Sequence, residues 1–157
     1  MNVVSPFELK EKILKKMLLA LRHDSVLGEI PATLGNYGHI HYGNEIIGKL
    51  HYPETNTNGC LPFTKEMFRN DPLFDEPNDR KPIALLDHGG CTHVIKTWNA
   101  QVYGMKGAVI IDDYDKDFAA MKESESKRTA DAKKGYQLNI PYLKVHYENG
   151  DILRKYL

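Results

Sequence analysis

The chain is 157 residues long, which suits a single domain with a hydrophobic core. Its 21 basic and 21 acidic side chains cancel, so the charge balance does not favour nucleic acid or an anionic membrane surface as the main partner. No apolar run approaches the length of a membrane span, and the N-terminal residues are too rich in Lys and Glu for a signal peptide. A fragment of a longer protein would show the same features.

The N-terminal region predicts a short strand over residues 2–6 and an amphipathic helix over about residues 8–22. In this helix the apolar side chains recur three to four residues apart, and lysines lie on the opposite face. These apolar residues are Leu9, Ile13, Leu14, Met17, Leu18 and Leu21. A basic face can meet lipid, but a helix packed on its own domain is the simpler interpretation.

A β-hairpin is predicted next, because the pair Gly43-Asn44 can form a two-residue turn between residues 37–42 and residues 45–52. Pro53 ends the second strand. Four prolines between residues 61 and 82 then predict irregular structure, interrupted by one helical turn at residues 64–68.

The centre of the chain predicts a β-α-β unit. Residues 83–87 and 108–111 are short apolar runs typical of buried strands, and residues 92–103 between them have helical periodicity. Thr92 can cap this helix, and Gly104 can end it in the left-handed conformation. A crossover this short implies neighbouring parallel strands with the helix across one face of the sheet.

The same periodicity predicts which face of the helix is buried. Val94, Ile95, Trp98 and Val102 are spaced three to four residues apart and would form one apolar stripe. Burial of each side chain would contribute roughly 1.5–3 kcal/mol before conformational entropy is subtracted.

The C-terminal third predicts a polar segment, a strand and a short helix. The charged residues 112–135 are typical of a solvated loop or an exposed helix. Residues 140–145 form the last predicted strand, and Gly150-Asp151 is expected to start a terminal helix over residues 152–157.

A glycine turn, His88-Gly89-Gly90-Cys91, lies where the first central strand meets the helix. Exposed amides at a helix N-terminus attract an anion. Neither of the glycine motifs of nucleotide-binding loops occurs here, so a carboxylate or a backbone carbonyl of a bound peptide fits better than a pyrophosphate. A tight turn with no ligand is the alternative.

Cys91 is a candidate nucleophile, because a helix N-terminus lowers a thiol pKa and His88 and His93 are near in sequence. This arrangement would permit a Cys–His enzyme. A bond to Cys60, the other cysteine, would instead consume the thiol. Such a bond would close a loop of about 30 residues and stabilise the fold by roughly 3–4 kcal/mol.

The possible metal sites are incomplete. His39 and His41 alternate on one face of the predicted hairpin, with His51 on the other, and two histidines without a third ligand do not make a zinc site. The acidic run at residues 113–117 resembles a calcium loop, but Phe118 and Ser124 occupy the positions that need Gly and Glu. We therefore expect no metal and no cofactor.

Several motifs of the chain resemble the protease-associated (PA) domain, and most closely the luminal PA domain of plant-type vacuolar sorting receptors. The general matches are Gly90-Cys91, Lys96, residues 104–111, Ile140-Pro141 and residues 150–153. Residues 36–44 resemble the receptors' N-F-G-x-P-x-Y-G-G, followed by Tyr52-Pro53. Residues 88–101 resemble R-G-D-C-x-F-x-x-K-x-W-N-A-Q, in which Trp98-Asn99-Ala100-Gln101 is the most specific part.

The resemblance implies an α+β fold of the swivelling β/β/α type, an open β-barrel or sandwich flanked by short helices. It covers residues 36–157, so residues 1–35 would be a divergent N-terminal extension of a single domain. The family would pair Cys60 with Cys91 in an oxidising compartment, the lumen of the secretory and vacuolar pathway. The parent protein would be membrane-anchored, with no direct membrane contact by this domain.

The resemblance also implies a function: a non-catalytic module that binds a peptide or protein cargo. The ligand-binding residues carried over are Asn36, Tyr37, Gly38, His88, Gly89 and Gly90. Two of them depart from the family, since His88 stands in place of Arg and Gly90 in place of Asp. Because a histidine gains charge near pH 6, the change at position 88 suggests cargo binding that depends on luminal pH.

Three other functions are compatible with the sequence. A PA insert of a secreted or membrane peptidase would govern substrate access, and a membrane-anchored ubiquitin ligase carries the same module in its lumen. An independent Cys–His enzyme would need both thiols free. The binding module is preferred, and no enzyme activity is expected.

Overall fold

A five-stranded mixed sheet forms the frame of the domain. The structure is a computed structural model, and it describes residues 30–38, 46–73, 81–112, 129–155 and 157, with the side chains at 129, 130 and 132 excepted. The strands are β1 (Ala32–Leu34), β2 (Gly48–His51), β3 (Lys81–Leu86), β4 (Ala108–Ile111) and β5 (Tyr142–Val145). Their order is β1-β5-β4-β3-β2. Strand β3 pairs in parallel with β2 and β4, and β4 pairs in parallel with β5. Strand β1 pairs antiparallel with β5.

The predicted β-α-β unit is confirmed. Helix α1 (His93–Tyr103) connects β3 to β4, which are parallel neighbours with Ala84 level with Ala108. The hydroxyl of Thr92 accepts a hydrogen bond from the amide of Ile95 at 3.3 Å, as expected for an N-cap. Gly104 ends the helix with a φ of 110°.

The face of α1 that is buried differs from the predicted stripe. Val94 and Ala100 are fully buried, but Ile95 and Trp98 are only half-buried and Val102 is 66% exposed. The other buried positions of the helix are polar: Lys96, Thr97 and Asn99. These polar atoms have partners within the fold, so burial of this face does not leave them unsatisfied.

The sheet is covered on both faces. Helix α1 and α2 (Thr129–Gly135) lie on one face, and α3 (Tyr147–Lys155) lies on the other. Alternate strand residues divide between two cores, as the period of a strand requires. The α3 side contains Leu50, Ile83, Leu85, Val109, Ile111, Leu143, Val145 and Leu153, and the α1 side contains Phe63, Phe68, Ala84, Leu86, Val94, Ile110 and Tyr142. The described sheet is open rather than closed into a barrel, which confirms the predicted open α+β fold.

Two local predictions differ from the structure. Of the predicted hairpin, residues 37–38 are outside any strand and residues 48–51 form β2, which pairs in parallel with β3, while residues 39–45 lie outside the described residues. The terminal helix begins at Tyr147, so Gly150 lies inside α3 and does not start it. A glycine suits this position because a Cβ atom there would lie 2.3 Å from the side chain of Ile111. The predicted helical turn is confirmed as a 3-10 helix, Lys65–Met67.

Several predictions fall outside the described residues. They are the strand at residues 2–6, the helix at residues 8–22, His39 and His41, the turn at Gly43-Asn44, and the acidic run at residues 113–117 with Phe118 and Ser124. The single-domain boundary with its extension over residues 1–35 stays a prediction.

Candidate functional site

A disulfide connects the loop after β2 to the turn after β3. Cys60 and Cys91 are bonded, with their Cα atoms 5.8 Å apart and a sequence separation of 31. The pairing implied by the family resemblance is therefore confirmed. Both cysteines of the chain are used in this bond, so neither offers the free thiol that a Cys–His enzyme would need.

Behind the disulfide lies a buried cation, Lys96. Its side chain is fully buried, and its ammonium group donates hydrogen bonds to the carbonyl oxygens of Asn58 at 2.6 Å, Asp87 at 2.9 Å and Gly89 at 2.6 Å. Burial lowers the pKa of Lys96 to about 8, which leaves the group charged at neutral pH. One side chain thus ties together two loops that are remote in sequence.

In the sequence, Lys96 is one matching position in the family motif, and its residue type alone does not predict a buried role. A helix-period analysis assigns a lysine to the solvent side. The available signal was its position, three residues before the buried Asn99, whose amide donates to the carbonyl of Gly59 at 2.9 Å. Both side chains therefore face the same cysteine loop.

We call residues 88–90 the glycine corner. Gly89 and Gly90 have φ values of 85° and 83°, in the left-handed region that favours glycine. A side chain added at Gly89 would meet no atom within 4 Å, whereas Gly90 is backed by Asn58 and Cys60. His88 and Gly90 are exposed. The two glycines of the corner therefore present backbone without side chains, and Asn58 and Cys60 pack against Gly90 from inside the fold.

A cavity of about 210 Å³ lies beside His88, at the carboxyl ends of β3 and β4. It is lined by Asp87, His88, Ile111, Asp112, Tyr147, Asp151 and Arg154. In open sheets with parallel strands, ligands commonly bind at this edge. The lining holds three carboxylates and one guanidinium, so a group that enters it is expected to be polar or basic.

The guanidinium of Arg154 organises this cavity. It donates to a carboxylate oxygen of Asp87 at 2.7 Å and also to Asp151. The second oxygen of Asp87 accepts from the hydroxyl of Tyr52 at 2.7 Å. Burial and the hydrogen bond to Asp87 raise the pKa of Tyr52. The carboxylate of Asp87 is thus held from two sides, directly before the glycine corner.

Charged groups also surround the start of α1. Lys144 and Asp112 form a buried ion pair, with 3.4 Å between nitrogen and oxygen. Burial, together with the positive charges of Lys96 and Lys144, lowers the pKa of His93 to about 4. The hydroxyl of Thr92 donates to the carboxylate of Asp131 at 3.0 Å. An anion at this helix N-terminus would meet a carboxylate already in place, which weakens the predicted attraction.

The other predicted binding residues, Asn36, Tyr37 and Gly38, form what we call the NYG loop. Asn36 is exposed, and the ring of Tyr37 contacts the ring of Tyr136 edge-on, with 5.5 Å between centroids. Gly38 lies directly against the carbonyl of Ile140. The loop is thus held at the segment that leads into β5.

The structure does not bring the NYG loop and the glycine corner into direct contact. The amide of Gly35 bonds to the carbonyl of Tyr142, the first residue of β5 and level with Ala84 in β3. The NYG loop therefore lies near the strand starts, while the glycine corner follows the end of β3, two strands away. Tyr142 and His93 lie between the two, with ring centroids 6.4 Å apart.

Within the described ranges, no helix combines the length and apolar character needed to cross a membrane. In the same ranges, no three His, Cys, Asp or Glu side chains come together in a way that could hold a metal ion.

Comparison with known proteins agrees with this architecture. The family model of the PA domain matches residues 46–153. The chain is 31% identical to vacuolar-sorting receptor 7 of Arabidopsis thaliana over 143 residues, which is 90% of this chain and 21% of the receptor. It is 28% identical to vacuolar-sorting receptor 4 of the same plant over 154 residues, 98% of this chain and 24% of the receptor.

A pea relative gives the same result. Vacuolar-sorting receptor 1 of Pisum sativum is 28% identical over 140 residues, 89% of this chain and 21% of the receptor. The chain spans between a fifth and a quarter of the length of these relatives. Since the family model covers well over half of the chain, the protein belongs to the PA domain family.

Proposed function

We propose that this PA domain is a non-catalytic module that binds an extended peptide segment of a protein cargo, within a receptor related to the vacuolar-sorting receptors. The observation that carries the proposal is the glycine corner. It is an exposed backbone surface, supported by the disulfide and by Lys96, with a cavity directly beside it.

A rigid surface suits peptide binding because little conformational entropy is lost when the ligand docks. The carbonyl of Gly89 accepts a hydrogen bond from Lys96, and His88 and Gly90 are exposed, so we expect a ligand to contact those two residues. An extended peptide can bond to such backbone groups while one of its side chains enters the cavity. The acidic lining favours a polar or basic side chain there.

The chemistry of the site supports binding rather than catalysis. The cysteines are bonded to each other, and His93 is held neutral at physiological pH by its burial and by the positive charges of Lys96 and Lys144. The relatives carry the name of sorting receptors, which favours a receptor over a peptidase insert.

A structural disulfide is typical of oxidising compartments. We therefore infer that the domain works in the lumen of the secretory or vacuolar pathway. Because the relatives are named as sorting receptors, we further infer that the parent protein is membrane-anchored.

A peptide-array experiment tests the proposal. The oxidised domain is applied to an array of tiled decapeptides from soluble vacuolar and secreted proteins, and hits are titrated by calorimetry. We expect a defined set of hits whose affinity falls several-fold in His88→Ala but not in Lys106→Ala, an exposed control in the loop before β4. An array without hits, or hits unaffected by His88→Ala, would contradict the proposal.

The same titrations test the pH hypothesis. If His88 replaces the family's arginine as a ligand contact, affinity for the hits should change between about pH 5 and 7.5 in the wild type. The change should be absent in His88→Asn, which cannot gain a proton. A wild-type affinity that stays flat over this range would remove the hypothesis.

A further inference from the structure

We propose that Tyr142 is the positioning residue of the binding surface: it holds the NYG loop in place and connects it to the start of α1. This inference rests on the proposed function, since it concerns how two separated loops can act on one peptide.

The hydroxyl of Tyr142 is the anchor of the NYG loop. It accepts hydrogen bonds from the backbone amides of Asn36 and Tyr37. The side chain is fully buried, so water cannot easily replace either bond. Two successive amides of the loop therefore depend on one oxygen atom.

The ring of Tyr142 also fits closely against the start of the loop. A Cβ atom added at Gly35 would lie 2.3 Å from the ring. Only a glycine at this position lets the backbone pass over the ring and reach the hydroxyl. The amide of Gly35 is itself bonded to the carbonyl of Tyr142 at 2.8 Å, so the loop is held by both the backbone and the side chain of one residue.

On its other side, Tyr142 reaches α1. Its ring meets the ring of His93 edge-on, with an interplanar angle of 69°. His93 begins α1 and follows Gly90 by three residues. The NYG loop, Tyr142, His93 and the glycine corner thus form one continuous path, which explains how loops two strands apart can keep a fixed distance.

The test compares Tyr142→Phe with Tyr103→Phe. Each change removes one buried or partly buried hydroxyl, and the Tyr103 hydroxyl donates to Asp71 at 3.1 Å, away from both loops. Amide hydrogen exchange is measured for both variants, and the decapeptide hits from the array are titrated. Gly35→Ala, which pushes a methyl group into the Tyr142 ring, is the second variant if Tyr142→Phe does not fold.

In Tyr142→Phe we expect the amides of Asn36 and Tyr37 to exchange about tenfold faster, because both lose their hydrogen-bond acceptor. Affinity for the decapeptides should fall several-fold, mainly through faster dissociation. Tyr103→Phe should change neither quantity.

Two results would overturn the inference: unchanged exchange at Asn36 and Tyr37, or faster exchange with unchanged decapeptide affinity in a domain that still binds. These differ from failure of the proposed function, in which the wild-type domain itself binds no decapeptide. That last result would remove both proposals.

Discussion

The glycine corner and the NYG loop are stabilised by different kinds of interaction. The corner is held by a covalent bond and by a buried ammonium group with three carbonyl partners. The NYG loop is held by hydrogen bonds to Tyr142 and by packing against Tyr136 and Ile140. The difference indicates that the corner is a preformed platform, whereas the NYG loop can open at a lower free-energy cost.

Removal of the disulfide should have the largest effect. Cys60→Ser combined with Cys91→Ser frees a closed loop of about 30 residues, and we expect the free energy of unfolding to fall by roughly 3–4 kcal/mol. Chemical denaturation measures this change. Hydrogen exchange should rise in the glycine corner but not in the NYG loop, and a uniform rise would contradict the distinction between the two regions.

Lys96→Met should be nearly as damaging. It leaves three inward carbonyl groups without their donor, and we expect a loss of about 2–4 kcal/mol in the free energy of unfolding. The matched control is Lys106→Met, because Lys106 is exposed. Equal denaturation midpoints for the two variants would show that Lys96 does not support the corner.

His93 lies between the two regions, and its shifted pKa predicts how the stability of the fold depends on pH. Its pKa is lowered in the folded state to about 4 from an ordinary value of 6.5, so the unfolded chain binds the proton more readily. Stability linked to His93 is therefore complete above pH 6.5 and is lost as the pH falls towards 4, by about 3 kcal/mol at most.

Denaturation curves between pH 4 and 7.5 measure this loss, with His93→Gln as the comparison. The stability of the variant should vary less with pH than that of the wild type. Parallel pH profiles for the two proteins would mean that His93 is not buried in the way described.

Gly89→Ala should have the smallest effect on stability. The position has open space but a φ of 85°, so the cost is backbone strain of roughly 1–2 kcal/mol. Gly89→Asn should cost less, because asparagine tolerates the left-handed region better. Thermal melts measure both, and equal losses for Ala and Asn would point to a clash instead of strain.

Local sequence patterns predict the strand, turn and helix around the glycine corner, but they do not predict where the NYG loop lies relative to it. The Thr92 cap, the Gly104 end and the parallel pair β3 and β4 follow from interactions between residues close in sequence. The position of the NYG loop depends on the order of the strands, which periodicity does not reveal. The family resemblance supplied the disulfide and the candidate binding residues, but not the distance between the two loops.

The buried face of α1 shows a second limit of pattern reading. Periodicity ranks residues by apolar character, so it selected Ile95 and Val102 over Lys96. The fold reverses this order because the carbonyl groups of the neighbouring loops solvate the ammonium group better than any apolar contact would. Such a partner set is visible only in three dimensions.

The half-buried position of Trp98 has a practical consequence. It is the only tryptophan of the chain, it lies on α1, and Lys134 of α2 approaches its ring to 5.8 Å. Its fluorescence is therefore a natural optical probe of how these two helices meet. Since none of the proposed variants alters Trp98, the emission spectrum can follow unfolding in all of them without any added label.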